Sequence, residues 1–444
     1  MIRVLQRTMK PTINLDPPAG TRDFFPEEMR VRNWLFNIWS NISNKFGFSE
    51  YDAPVVEYAD LYTRKGGDDI IQEMFAFTLG NNKLALRPEM TPSVARMIMN
   101  RYTTAPPPFK WFSIPQCWRY EDIKRGRKRE HFQWNCDVFG AEKIFSEIEI
   151  FMMVTTFFEA IGLTPDDVVL KVSNRMILQK ALTKMGVPDD LFAKACVLID
   201  KLAKMSTTAM TERLRNEISL TEEQANTIYK LCALTNIDDL AQFLGDNDDT
   251  YLEMKKIFEL AEKIGISKWL RFDVSVVRGL SYYTGLVFEG FSVSLPNLQK
   301  SICGGGRYDN LLSSFGYATP VPAVGFGFGD VVIVELLKEM NKLPVFPNET
   351  QYLIVPFDES LFHIAAQVSQ KLREGNVNTE LYTKRGRIGR AYDYADRKGI
   401  DNVILIAPDE WANGDVIVKK LRETDPARKQ TAIKLDEFLK SLSA

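Results

Sequence analysis

Between about Asn174 and Gly265 the chain carries no strand signal, only Leu, Ala, Met, Glu and Lys in helix-forming proportions, whereas strand-like runs stand on both sides. Before this stretch come residues 84–87, 109–119 and 132–139; after it come 272–276, 286–291 and 324–328. Together these runs predict one antiparallel sheet completed across a helical insertion, an α+β arrangement with helices flanking the sheet. Ahead of the sheet, Val31, Trp34, Leu35, Ile38, Trp39, Ile42 and Phe46 keep helical spacing, so a long amphipathic helix is expected over 27–46, stopped by Gly47. Residues 48–58 then read as a strand broken by Pro54, which suits an edge or an interface better than a central ladder. Past the Pro-containing stretch 343–348, short apolar strands alternate with helices over 352–355, 361–374, 379–382, 388–398 and 403–406, which predicts a small α/β domain. The expected organisation is an extension at 1–17, a sheet domain made of 18–173 and 266–342, a helical insertion at 174–265 and the α/β domain at 349–444.

Composition narrows the function classes. With 444 residues, 45% hydrophobic and 26% charged, the chain can bury more than one core, and two or three domains are expected. Its 56 Lys and Arg against 58 Asp and Glu leave a net charge of −2, so contact with a polyanion has to come from local basic patches. Cys117, Cys136, Cys196, Cys232 and Cys303 are scattered, and only His131 and His363 complement them, which argues against a disulfide framework or a zinc site. No run of about 18 apolar residues occurs, so no membrane span is expected. Arg3, Arg7 and Lys10 precede the first acid, Asp16, a pattern shared by weak organellar presequences and frayed termini.

Several segments carry chemistry. Trp118-Arg119-Tyr120-Glu121, then Lys124-Arg125-Gly126-Arg127-Lys128-Arg129, then the 132–139 run make a strand, a basic loop and a strand. Between Arg119 and Arg129 six cations face two acids, and Gly126 lets the loop bend, so guanidinium groups can converge on phosphates; a solvated hairpin tip would carry the same charges. Arg87-Pro88-Glu89-Met90-Thr91 sets a carboxylate and a hydroxyl two residues apart, suited to an ammonium group, although an ion pair explains Arg and Glu equally well. Arg278-Gly279-Leu280-Ser281-Tyr282-Tyr283-Thr284-Gly285 concentrates an arginine, two tyrosines and two glycines between expected strands. Gly304-Gly305-Gly306-Arg307-Tyr308-Asp309 and Gly325-Phe326-Gly327-Phe328-Gly329 permit close backbone approach of a flat ligand, or simply mark turns.

In this order the segments resemble the class II histidyl-tRNA synthetases, over nearly the whole length from Pro18 to Leu442. Gly20-Thr21-Arg22-Asp23 with the long helix and Pro54 is similar to the family's motif 1, which builds a dimer interface. Residues 112–140 are similar to motif 2, and 325–329 to the start of motif 3. The stretch from Arg278 to Gly285 resembles the signature of histidine-specific members, and it separates this family from synthetases for proline, threonine or glycine. The resemblance implies an enzyme that activates histidine with ATP and transfers it to the 3′-terminal adenosine of its tRNA, acting as a homodimer.

Residue roles follow from the same resemblance. Arg119 grips the α-phosphate, Glu121 contacts the adenine, Arg127 reaches the outer phosphates, and Arg278 approaches the α-phosphate opposite Arg119. Mg2+ accompanies the β- and γ-phosphates, with no metal held by the protein alone and no prosthetic group. Glu89 and Thr91 bind the α-amino group, Gln133 lies near the carboxylate, and Asp137, Tyr282, Tyr283 and Gly305 complete the histidine site. A neutral imidazole offers one donor and one acceptor, which a carboxylate and a phenol can satisfy together.

Three departures from the family pattern stand out. The arginine expected after the motif 3 glycines is absent, the chain reading Gly329-Asp330-Val331-Val332; Ser281 replaces a frequent aspartate; and Asp137 is one methylene shorter than the usual glutamate. The last domain resembles the anticodon-binding domain of several class II synthetases, and Lys384, Arg385, Arg387 and Arg390, with Lys124, Arg125, Lys128 and Arg129, are expected to meet tRNA. Two readings compete with the enzyme: a non-catalytic paralogue that kept the fold for regulation or sensing, and an unrelated ATP-grasping ligase. The cytoplasm is the expected compartment, with mitochondrial delivery as a second destination suggested by the basic start.

Overall fold

Pro26 at the first helical position and Glu27 and Glu28 in the first turn start the helix Pro26–Lys45, which gives way to Gly47 at φ 75°. Its buried stripe of Leu35, Trp39 and Ile42 faces the sheet expected from the sequence. The computed structural model describes residues 13–442 apart from 64–67, 201, 203–204, 277–281, 296–300 and 385. It divides into two units at Leu343 and Pro344.

Among the described residues, nine strands make the main sheet of the first unit. Their order is Ser49–Glu50, Phe109–Ser113, Glu130–Phe139, Ala323–Gly329, Cys303–Arg307, Leu286–Ser292, Val168–Asn174 and Leu270–Phe272, with Gln116–Trp118 paired to the first residues of Glu130–Phe139. The interior pairs are antiparallel, whereas Ser49–Glu50 and Leu270–Phe272 run parallel to their neighbours at the two edges. Leu270–Phe272 can do so because the helical stretch leading from Val168–Asn174 is long enough for a crossover.

Four strand expectations need correction. The 84–87 run belongs to the strand Asn82–Leu86 of a separate three-stranded sheet with Val56–Tyr58 and Ala76–Leu79. The two-residue connection Gly80-Asn81 folds it back locally before it can reach the main sheet. Pro54 divides residues 48–58 between the two sheets, and Pro115 divides the 109–119 run into two strands. The strand expected at 272–276 stops at Phe272, because the Asp273 carboxylate accepts from the Ser275 backbone and hydroxyl in a turn. Val168–Asn174 and Cys303–Arg307 are strands that the sequence reading did not assign.

Period-2 alternation sorts the two faces of the sheet. On Glu130–Phe139, Trp134, Cys136 and Val138 enter the main core, leaving His131, Gln133, Asn135 and Asp137 on the opposite face. On Ala323–Gly329, Val324, Phe326 and Phe328 enter the same core, leaving Gly325, Gly327 and Gly329 opposite. Trp39, Trp134, Phe157 and Phe328 form an aromatic cluster with ring centroids 5.0–6.3 Å apart. Within it, Trp134 Nε1 donates to Ser43 Oγ at 2.8 Å, tying the first helix to the central strand.

The segment after Val168–Asn174 is helical. Arg175–Lys184, Phe192–Asp200, Thr207–Ile218 and Glu222–Cys232 surround their own core of Leu178, Leu182, Met210, Leu214 and Ile228. Asp249–Lys263, capped by Asp248, instead sends Tyr251, Met254 and Ile257 into the main core. The second unit is a five-stranded mixed sheet in the order Thr379–Leu381, Tyr352–Pro356, Asn402–Ile406, Asp415–Lys420, Gln430–Lys434. Its first three strands are parallel and its last two, absent from the sequence reading, are antiparallel. Helix Ile388–Lys398 covers one face; Phe362–Glu374 and Leu435–Leu442 cover the other. No helix among the described residues is long and apolar enough to cross a membrane.

Ser43→Ala leaves the buried Trp134 N–H without an acceptor, and a loss of about 1–3 kcal/mol is expected in urea unfolding. Trp134→Phe in the same chain removes that unpaired donor, so the double variant should lose less than the sum of the two single losses.

Candidate active site

The sheet face opposite the helices is the floor of a cleft. Arg87 supports one wall: Nε donates to the Gln116 carbonyl at 2.9 Å, and Nη1 reaches Asp52 and the Ala53 carbonyl at 2.7 Å each. The turn it holds leads the buried Glu89 and Thr91 into the cleft wall. The Tyr282 hydroxyl donates to Glu89 Oε2 at 2.8 Å, and Tyr282 and Tyr283 stack obliquely with centroids 5.0 Å apart. Beneath them Tyr308 donates its hydroxyl to Asp137. Burial pushes the Asp137 carboxyl up from 3.8 to about 7, against hydrogen bonds from Tyr308, Thr91 and Tyr51, with the Glu89 charge adding to the rise.

Missing side chains make room for these groups. A methyl group on Gly325 would lie 2.5 Å from the Tyr308 hydroxyl and 2.6 Å from Asp137 Oδ1. One on Gly306 would meet the Tyr283 ring at 2.9 Å, and one on Gly327 would overlap the Gln133 side chain. The glycine runs are therefore central strands whose empty positions seat the cleft's polar side chains.

The opposite end of the cleft is cationic. Arg119, Arg127 and Lys128 line it together with Glu121, Glu289 and Val331. Arg119 Nε donates to the Pro88 carbonyl at 2.9 Å, and Arg127 pairs with Glu121 at 2.7 Å. His131 stands on the wall of both ends; its enclosure, aided by Arg119 and Arg22, lowers its imidazole to about 3, so the ring is neutral. Among the described residues no group of three or more His, Cys, Asp or Glu is placed to hold a metal ion. Acids and phenols at one end suit an ammonium and a polar ring, and guanidinium groups at the other suit phosphates.

The histidyl-tRNA synthetase family model matches residues 20–329, and that of the anticodon binding domain matches 351–444. A chloroplastic/mitochondrial histidine–tRNA ligase of Arabidopsis thaliana is 43% identical over 410 residues, covering 92% of this chain and 84% of that protein. The chain belongs to the histidyl-tRNA synthetase family. A histidine–tRNA ligase of Leptospira biflexa is 34% identical over 430 residues, covering 95% of this chain and 96% of its own. The fold is shared with the solved histidyl-tRNA synthetase of Nostoc sp. PCC 7120, at a TM-score of 0.79 and 23% identity, covering 97% and 99% of the two chains.

Read as a histidyl-tRNA synthetase, the chain gathers Glu89, Thr91, Arg119, Glu121, Arg127, Gln133, Tyr282 and Tyr283 on one cleft. Asp137 lies behind that surface, fully buried, and Gly304 lines the cleft where Gly305 was expected; Gly305 faces Phe326 instead, by the alternation of its strand. Arg278, Ser281 and Arg385 lie outside the described residues. Of the loop cations expected to meet tRNA, Lys124 pairs with Asp122 at 3.3 Å, Arg125 pairs with Glu339, and Arg129 lies 3.7 Å over the Tyr120 ring. Lys128 lines the cationic end of the cleft. In the second unit Lys384, Arg387 and Arg390 are exposed. The sequence reading missed Tyr308, His131 and Asn135, although stepping by twos from Asp137 along its strand would have found the last two.

The Asp137 shift has a definite sign. A carboxyl raised from 3.8 to about 7 opposes folding increasingly as pH climbs through that window and has no such effect below it. The melting temperature of Asp137→Asn, relative to the parent, should therefore rise between pH 4 and pH 8. A pH-independent difference in paired thermal scans would contradict the assignment.

Proposed function

We propose that this chain is a histidine–tRNA ligase: it joins histidine to ATP as histidyl-adenylate, releasing pyrophosphate, and then transfers histidine to the terminal adenosine of its tRNA. The polarity of the single cleft carries this reading, with Glu89, Tyr282, Tyr283 and Tyr308 at one end and Arg119, Arg127 and Lys128 at the other. Gln133 lines the overlap of the two ends, where an amino-acid carboxylate would meet an α-phosphate.

Glu89 and Thr91 hold the ammonium group and Gln133 the carboxylate, fixing the attacking oxygen against the α-phosphorus. Negative charge then gathers on the α-phosphate oxygens and on the departing pyrophosphate. Arg119, oriented by the Pro88 carbonyl, compensates the first, and Arg127 and Lys128 face the second. Arg278 adds its charge at the α-phosphate in this reading. Magnesium arrives with the nucleotide and supplies further charge neutralisation on the β- and γ-phosphates. In the second step a ribose hydroxyl attacks the carbonyl carbon of the adenylate and AMP departs.

Lys384, Arg387 and Arg390 suit phosphate neutralisation beside tRNA in the anticodon domain, and the helical segment 174–265 serves as an insertion domain. In this reading, the enzyme works as a homodimer. It acts in the cytoplasm, with residues 1–17 as an extension that can direct a second pool to an organelle.

Histidine-dependent exchange of labelled pyrophosphate into ATP tests the first step. Histidine alone among the amino acids should support exchange, and Arg119→Ala should lower kcat by about 10²–10³-fold. Exchange with no amino acid would leave a binding protein. Light scattering should return twice the 50.7 kDa chain mass, whereas a single-chain mass would remove the dimer.

A further inference from the structure

A second cavity, of about 230 Å³, opens between the first helix Pro26–Lys45 and the helix Asp330–Glu339. Among the described residues it shares only Lys128 and Val331 with the cleft. Phe24, Val31, Leu35 and Val334 give it apolar walls, and two side chains of opposite charge line it as well, Arg32 from one helix and Glu335 from the other. Arg32 Nε and Glu335 Oε2 are enclosed, and neither has a hydrogen-bond partner among the described residues. Nor does an ion pair join the two side chains. The Arg32 guanidinium is held instead over the rings of Phe24, Phe36 and Phe132, at 5.0, 5.6 and 5.1 Å from their centroids. These rings attract the cation but supply no oxygen to its N–H groups. Arg22 and Asp330 on the same wall are a contrast, being paired at 2.9 Å.

An enclosed charge without a counter-charge is costly, and here two of opposite sign border one apolar space. We propose that this cavity binds a small aliphatic α-amino acid in its dipolar form, with its carboxylate on Arg32, its ammonium group on Glu335 and its side chain against Val31, Leu35 and Val334. It is a site separate from the one that activates histidine. A carboxylate or an amine alone would meet one of the two charges and leave the other bare. A neutral primary amide would offer an acceptor and a donor but cancel neither charge. The dipolar ion supplies both as charge-assisted hydrogen bonds, which are roughly twice as strong as neutral ones.

Calorimetric titration of the full-length chain with leucine tests this, alongside isocaproate, isopentylamine and isocaproamide, which keep the aliphatic part and lack one charge or both. Leucine should bind at least about tenfold more tightly than each of the three. Arg32→Met and Glu335→Gln should each weaken leucine by at least about tenfold while leaving the KM for histidine in pyrophosphate exchange within about twofold, which serves as the control for folding. Saturating histidine should leave leucine affinity unchanged. No leucine binding would mean that the cavity holds solvent only, and displacement of leucine by histidine would place it in the cleft; either result overturns the proposal. Equal affinity for isocaproamide, or leucine binding that survives both substitutions, would overturn it as well.

Discussion

The cleft and the core of the first unit are two faces of the same strands, so both depend on the alternation of side chains along Glu130–Phe139 and Ala323–Gly329. Even-numbered positions carry Trp134, Cys136, Phe326 and Phe328 into an aromatic core, while odd-numbered positions carry Gln133 and Asn135 to the cleft, and Asp137 or glycine to the layer beneath it. A register slip of one residue would put phenylalanine rings where Gln133 is seated and polar groups into the core. The glycines complete the constraint: Gly325 faces Asp137 across the ladder and leaves room for Tyr308. Fold stability and site geometry are thus not separable at these strands.

A second dependence runs through Arg22. Its guanidinium meets Glu130 at 2.6 Å and Asp330 at 2.9 Å, and Asp330 also accepts from the Phe132 amide at 3.0 Å. One side chain therefore joins the segment ahead of the first helix, the motif 2 strand and the helix that follows the motif 3 glycines. Burial raises Asp330, but the cluster supplies the charge and hydrogen bonds that a carboxyl needs in such a place. The acidic residue after the glycine run thus has its own partners in Arg22 and the Phe132 amide, independent of any arginine at the next position. Asp330 acts in the scaffold, and the next residue, Val331, lines the cationic end of the cleft.

How much of this was legible in the sequence depended on where the partner of each residue lay. The long helix, the basic loop and Gly126 were readable because helical spacing and charge are local properties. The cationic and polar lists were readable only through the family likeness, since nothing local says that Glu89 and Tyr282, 193 residues apart, share a hydrogen bond. The failures are instructive. Cys303–Arg307 has three glycines and no periodic side chains, so it looked like a turn; its strand character comes from neighbours on both sides. The 84–87 run has a strand's composition, but the connection at Gly80-Asn81 decides which sheet it joins. The burial of Asp137 was not legible either, because nothing local to its strand says that the Tyr308 hydroxyl, 171 residues on, donates to it.

The two ends of the cleft hold their charges differently. Arg119, Arg127 and Lys128 line the cationic end, and guanidinium and ammonium groups placed there suit the highly charged, strongly hydrated phosphates of the proposed reaction. Glu89 lines the other end of the cleft and accepts from the Tyr282 hydroxyl, whereas Asp137 is fully buried and accepts from Tyr308. The raised Asp137 is the cost of enclosing a carboxyl beneath the tyrosines, because a group buried that deeply resists ionisation even with the Tyr308 hydroxyl donating to it.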